Sequence, residues 1–316
     1  MSSHPLVSVI MPCFNAAATV AAAIASVRAQ DYRPIEIIAV DDKSRDDTVA
    51  VLQSLAADDL TIIAAAQNGG AGAARNRAIA AARGKYLAFL DADDSWAPDK
   101  LTRQITLLEA DPSLIMAGCH AEVLRLGGVR ESVNGGREAP QGPEAWRAML
   151  HHSFYVPSEI VVRSDAARRI GGFNEAMRGA EEDQDFFIRI ALTGGVGFVD
   201  ASLVTMYEQP GSLSIRNRTR EYETVLPMIL NHCTALRGRL SAHERRDILG
   251  ARYATIGRNV YFGNAALGAR LLLRAIGAGN EPLTNAWYLI TASPWARRLK
   301  AKLFHSAAGA ETLART

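Results

Sequence analysis

Three carboxylates within four residues, Asp91, Asp93 and Asp94, close the apolar run Tyr86-Leu87-Ala88-Phe89-Leu90. In extended backbone alternate side chains share a side, which brings Asp91 and Asp93 together. Carboxylates so crowded raise one another's pKa unless a cation lies among them. An all-oxygen donor set suits a hard divalent ion, Mn2+ or Mg2+, which would in turn hold a phosphate. The same stretch also fits a polar strand end followed by a helix cap, with Pro98 in the first helical turn. A second acidic run, Glu181-Glu182-Asp183-Gln184-Asp185, precedes the helical pattern 186–192. A helix N-terminus favours negative charge, so on pattern alone this is a helix with an acidic first turn.

The elements that must position these groups are legible upstream. Residues 6–11, 35–40 and 60–64 and the run ending at Asp91 read as strands, separated by helices over 17–29, from about 48 to 55, and after Asn68-Gly69-Gly70-Ala71-Gly72. The last of these helices carries Arg75 and Arg77. Near-continuous apolar strands alternating with helices imply a parallel sheet covered on both faces and wound by right-handed crossovers. Open sheets of this kind bind ligands at the carboxyl ends of their strands. Phe14, Asp41, Asp42, Asp91, Asp93 and Asp94 all fall at such ends, which favours the metal reading over the cap.

Further on, the pattern predicts a helix over 98–111, a strand over 114–124, and a hairpin around Gly127-Gly128 and Asn134-Gly135-Gly136. A short helix over 144–151, a strand over 159–162 and a helix over 164–170 closed by Gly171-Gly172 follow. Two short strands, 197–200 and 203–207, precede a loop at 211–214. Beyond about residue 218 the chain turns helical and basic, with segments at 221–237, 243–261, 265–276 and 286–303. Tyr253, Gly257, Tyr261, Ala265, Leu272 and Ala275 have the spacing of a helical hairpin. Trp287 to Ile290 and Trp295 beside Arg297, Arg298, Lys300 and Lys302 suit a helix lying on an anionic membrane, or equally a basic helix packed on the body or in a homodimer.

With 316 residues, 48% of them apolar, the chain can bury a full core, and a net charge of +2 gives no reason to expect nucleic acid. Cys13, Cys119 and Cys233 lie far apart, arguing against a disulfide framework or zinc site and fitting a reducing cytoplasm. The first residues lack the pattern of a signal peptide, and no apolar run is long enough to span a bilayer.

Six segments together resemble the inverting glycosyltransferases of family 2, with the GT-A nucleotide-sugar-binding fold. They are Val7-Ser8-Val9-Ile10-Met11-Pro12-Cys13-Phe14-Asn15; Ile38-Ala39-Val40-Asp41-Asp42-Lys43-Ser44; Asn68-Gly69-Gly70 with Ala74-Arg75-Asn76; Phe89-Leu90-Asp91-Ala92-Asp93-Asp94; Gly171-Gly172-Phe173-Asn174; and Glu182-Asp183-Gln184-Asp185. The resemblance implies an α/β, Rossmann-like, mostly parallel sheet flanked by helices over 5–215, with a nucleotide half (5–97), an acceptor and catalytic half (98–215), and a helical extension (218–316). It implies that Pro12, Phe14 and Asn15 line the nucleotide pocket and that Asp42 accepts a hydrogen bond from the base. Arg75 would steady the diphosphate or the acidic loop. Asp91 and Asp93 form the family's DxD pair near ribose and metal, with Asp94 equally placed for the metal. Asp183 is similar to the catalytic base, with Glu182 holding its loop or sharing the metal's field. The implied substrates are a nucleotide-diphosphate sugar and a saccharide or lipid-linked acceptor, in cell-surface polysaccharide or glycoconjugate synthesis. The implied place is the cytoplasm, with peripheral contact to the inner membrane face. A non-catalytic sugar-nucleotide-binding module and an aspartate-dependent phosphohydrolase are the alternatives. Two departures stand out. Lys43 takes the place of a usual glycine, and Tyr207-Glu208-Gln209-Pro210 lacks the usual Arg and His.

Overall fold

The computed structural model describes residues 4–133, 137–177, 181–208, 221–261 and 264–291. Two compact units form, Met1–Ser212 and Leu213–Thr316. In the first, strands β1 (Val7–Cys13), β2 (Ile35–Asp41), β3 (Leu60–Ala64) and β4 (Tyr86–Phe89) alternate with helices α1 (Val20–Arg28), α2 (Thr48–Ser54) and α3 (Ala71–Ala81). All four strands pair in parallel, in the order β3-β2-β1-β4. Every residue of β4, and nearly every one of β1 and β2, is buried, which is why these strands read as unbroken apolar runs. Pro12 is tolerated inside β1 because the ladder to β4 ends at Ile10↔Phe89, so no partner on that side asks for its missing N–H.

Beyond β4 the sheet becomes mixed. The elements are β5 (Asp94–Trp96), α4 (Lys100–Ala110), β6 (Leu114–Leu124), β7 (Arg130–Ser132), α5 (Ala145–His151), β8 (Val161–Arg163), α6 (Ser164–Arg169), α7 (Glu182–Ala191) and β9 (Gly195–Tyr207). The sheet order continues β4-β8-β6-β9-β5, with β7 on β6.

Three features depart from the sequence reading. Asp94 to Trp96 do not cap a helix but pair antiparallel with Met206 to Val204, and α4 starts only at Lys100, leaving Pro98 outside it. The two short strands expected at 197–200 and 203–207 are one strand, β9, which follows β6 through register shifts near His120. The acidic run lies mostly inside α7 rather than ahead of it.

The second unit contains α8 (Leu226–Ala235), α9 (Ala242–Tyr261), α10 (Ala265–Gly277) and α11 (Pro282–Thr291). Helices α9 and α10 pack closely: a Cβ on Gly268 would come within 2.6 Å of the Tyr261 Cα. No helix among the described residues is long and apolar enough to cross a membrane. The loop at 211–214, the Asn134-Gly135-Gly136 turn, Gln209-Pro210, Trp295 and the basic residues after it lie outside the described residues.

Candidate active site

The carboxyl ends of β1, β2 and β4 gather the residues singled out by the sequence. Asp41 sits opposite Cys13 in the β1–β2 register. Burial, then the charges of Asp41 and Asp91, pushes the Cys13 thiol up to about 12. Phe14, just past β1, is 48% exposed, an apolar ring held in solvent at a strand end. The loop carrying it is fastened to the β2–α2 loop: the Asn15 N–H donates to Ser44 Oγ (2.9 Å), and the Arg45 N–H donates to Asn15 Oδ1 (2.8 Å). Lys43 keeps the left-handed backbone that the usual glycine would supply, with φ of 63°.

Asp42 has an internal role that the sequence did not reveal. Its buried carboxylate accepts the N–H groups of Gly69 (2.8 Å) and Gly70 (2.6 Å), with Arg77 Nη1 at 3.4 Å. It therefore holds the glycine-rich approach to α3, and a base contact would have to compete with these amides. Its neighbour Asp41 keeps Oδ1 buried with no hydrogen-bond partner among the described residues.

Arg75 is the hinge of the site. Its guanidinium, 4% exposed, donates through Nη2 to Asp91 Oδ1 (2.7 Å) and through Nη1 to Glu182 Oε1 (3.2 Å). One buried cation thus joins the strand-end acids to those of α7, where either carboxylate alone would face a large desolvation cost. Gly72, one turn earlier on α3, makes room: a Cβ there would sit 3.1 Å from Glu182 Cγ. The next residue, Asn76, receives the Phe173 N–H on Oδ1 (2.8 Å) and donates to the Phe173 carbonyl (2.9 Å). Phe173 in turn stacks on Phe186 of α7 at 4.1 Å, and both rings meet Phe89 of β4 edge-on at 5.5 Å. This aromatic plate seats α7 on the sheet with its N-terminus toward Asp91.

Each acid of α7's first turn then finds a different environment. Glu181 accepts from Ser153 (2.9 Å), Glu182 pairs with Arg75, and Asp185 pairs with Arg189 one turn on (2.7 Å). Among the described residues Asp183 accepts only the N–H of Gln184 (2.8 Å). Burial, reinforced by Glu181 and Glu182 and opposed by Arg75, raises its pKa to about 7, where a carboxylate can take and return a proton near neutrality.

The strand-end acids differ among themselves. Asp94 is buried, and burial followed by the charge of Asp91 holds its pKa well above the usual carboxylate range. Asp93 lies exposed at the rim, so its smaller rise, also from desolvation and then Asp91, is eased by solvent. No group of three or more His, Cys, Asp or Glu side chains among the described residues converges on one point suited to a metal. Asp91 and Asp94 nevertheless suit a hard cation, because Mg2+-type sites commonly use one or two carboxylates and take the remaining oxygens from substrate phosphates and water.

A mixed sheet with a strand-end acid cluster tied through Arg75 to the acids of α7 resembles the GT-A fold of nucleotide-sugar transferases. The comparisons agree. TarS of S. aureus in complex with UDP-GlcNAc superposes with a TM-score of 0.65 at 18% identity, covering 86% of this chain and 81% of that one. The mannosyltransferase PcManGT from Pyrobaculum calidifontis, in complex with GDP-Man and Mn2+, gives 0.60 at 20%, covering 99% and 88%. Residues 8–153 match the model of Glycosyl transferase family 2. The putative glycosyltransferase EpsE of Bacillus subtilis is 29% identical over 76% of this chain and 86% of its own length. The UDP-Glc:alpha-D-GlcNAc-diphosphoundecaprenol beta-1,3-glucosyltransferase WfaP of Escherichia coli is 41% identical over 34% of this chain and 42% of its own. Several relatives are matched over only 24% to 42% of their own lengths. Residues 8–153 thus resemble the family 2 glycosyltransferases, and the fold is that of the solved GT-A neighbours.

Proposed function

We propose that the protein transfers a sugar from a nucleotide-diphosphate donor to a saccharide or lipid-linked acceptor, with inversion at the anomeric carbon. The observation that supports this reading is the Arg75 bridge, which ties Asp91 at the end of β4 to Glu182, the residue before Asp183. Asp183 takes the proton of the acceptor hydroxyl as that oxygen attacks. The diphosphate leaves from the opposite face, so a single in-line displacement inverts the centre. Glu182 pairs with Arg75 and keeps the first turn of α7, and with it Asp183, in place. Phe14 offers a stacking face for the base beside Asp41 and Asp42, and Asn15 and Pro12 shape the same rim. Bound Mn2+ or Mg2+, held by Asp91 and Asp94, would spread the charge of the departing diphosphate. The donors carried by the two solved neighbours make UDP- and GDP-sugars the first to try. Incubation with a radiolabelled UDP- or GDP-sugar and polyprenyl-diphosphate saccharides tests the reading. Transfer with inverted configuration by NMR supports it, whereas release of free phosphate or binding without turnover refutes it.

The helical unit suggests where the acceptor is met. Leu273, Leu283 and Trp287 are exposed at 59%, 85% and 64%, with Arg270 and Arg274 exposed beside Leu273 in sequence. We assign this unit to the inner face of a membrane with anionic lipids, where apolar side chains insert and arginines meet head groups. Flotation with phosphatidylglycerol vesicles should carry the protein up, and Leu283→Glu with Trp287→Glu should leave it at the bottom. Equal flotation of both proteins would refute the assignment.

A further inference from the structure

We infer that Ser158 is a positioning residue that sets the two strand-end carboxylates for a divalent cation, a role that rests on the transferase reading above. Ser158 lies in the tight turn Pro157–Glu159 ahead of β8, far from either acidic run in sequence, and is fully buried. Its hydroxyl donates to Asp94 Oδ2 at 2.5 Å and accepts the backbone N–H of Asp91 at 3.1 Å. A single oxygen therefore fixes the side chain of one candidate ligand and the backbone of the other. A hydroxyl that both donates and accepts in this way has its rotor settled.

The turn beneath is itself fastened on several sides. The Ser158 carbonyl accepts from Trp96 Nε1 (2.9 Å), the Glu159 carbonyl from Gln104 Nε2 (2.8 Å), and the Ile160 carbonyl from the Phe89 N–H (3.2 Å). Glu159 Oε2 turns back to the Val156 N–H (2.9 Å). Lys100, buried with its ammonium 4.2 Å from the Trp96 ring and 2.7 Å from Gln104, lies in the same layer. Ser158 thus stands on a rigid floor.

The consequence is a division of oxygens. Arg75 takes Oδ1 of Asp91 and Ser158 takes Oδ2 of Asp94. The remaining oxygen of each accepts no hydrogen bond among the described residues. Two carboxylates, each with one oxygen committed and one left over, offer two monodentate ligands and leave other positions for diphosphate oxygens and water. Without the Ser158 hydroxyl, Asp94 would be free to turn, and the pair would lose its preset orientation. Residues that orient ligands in this way usually account for about 10–100-fold in metal affinity.

Titration calorimetry with UDP and with GDP, in Mn2+ and in excess chelator, tests the role on the intact chain. Wild type should bind one of the nucleotides more tightly with Mn2+. Ser158→Ala should weaken that Mn2+-dependent binding about 10-fold or more and leave binding in chelator unchanged. Adding Ser158→Ala to Asp94→Asn should cost nothing further, since the hydroxyl acts through Asp94. Ser158→Cys keeps the volume with a weak donor, and it carries the same test if the alanine variant fails to fold. Unchanged Mn2+-dependent binding in the Ser158 variant, an equal loss with and without metal, or a loss additive with Asp94→Asn overturns the assignment and leaves the transferase reading standing. Wild-type protein that binds neither nucleotide better with Mn2+ overturns the metal site and this inference together.

Discussion

The two acidic runs contain much the same residues, yet the molecule treats them in opposite ways. At the end of β4 the carboxylates are clamped from outside, Asp91 by Arg75 and Asp94 by Ser158, and burial holds Asp94 away from its charged form. At the start of α7 the acids are dealt out to separate partners, and one of them, Asp183, has among the described residues a single backbone N–H and a pKa raised to about 7. Crowded carboxylates held in pairs suit a cation and a phosphate. An isolated carboxylate near neutrality suits a proton. Environments that push like groups apart in pKa are how one site runs both chemistries.

The largest effect should come from removing Asp183, the proposed base. Asp183→Asn keeps the shape and loses the proton acceptor, so turnover should fall by roughly 10²–10⁴-fold with donor affinity retained. Near-normal turnover in a steady-state assay would erase the contrast between the runs. At the other cluster, chelation or Asp94→Asn should lower transfer by about 10²-fold or more, the scale of losing several kcal/mol of charge stabilisation. Added Mn2+ should restore the chelated wild type but not the variant.

Cutting the link between the runs should act on both. Arg75→Met leaves two carboxylates without their cation and should cost about 3 kcal/mol in a urea titration, the low end for buried pairs because the Asp91 side chain is 31% exposed. Arg75 also opposes the rise at Asp183. In the wild type the base limb of the pH–rate profile should lie near 7, and without Arg75 it should move to higher pH.

The same pKa has a stability signature. A carboxyl raised from 3.8 to about 7 binds more protons folded than unfolded across that window, so its contribution weakens as pH rises through it. Thermal melts should show Asp183→Asn to be less pH-sensitive than wild type between about pH 4 and 7. The smallest effect belongs to a turn outside both runs. Lys43→Gly relieves a left-handed residue at the cost of unfolded-chain entropy, so it should change stability by no more than about 1 kcal/mol and leave the pH limb in place.

The parallel half of the sheet was legible because its signals are local. Unbroken apolar runs mark buried strands, glycines and aspartates mark their ends, and the sheet then delivers Phe14, Asp41, Asp42 and Asp91 to one edge without further instruction. The order of the six motifs likewise carried the resemblance to family 2 that the match over residues 8–153 supports. Tertiary structure alone decided that Asp94 begins a strand against β9, that β9 runs unbroken, and that Asp42 serves the Gly69 and Gly70 amides. It also decided the two clamps. Arg75 reaches Glu182 across 107 residues, and Ser158 reaches Asp94 across 64. Helical and strand periods report which face of an element is buried, but they carry no record of which distant side chain will lie against it. That choice is fixed only when the packed elements leave a buried charge or hydroxyl one partner within reach.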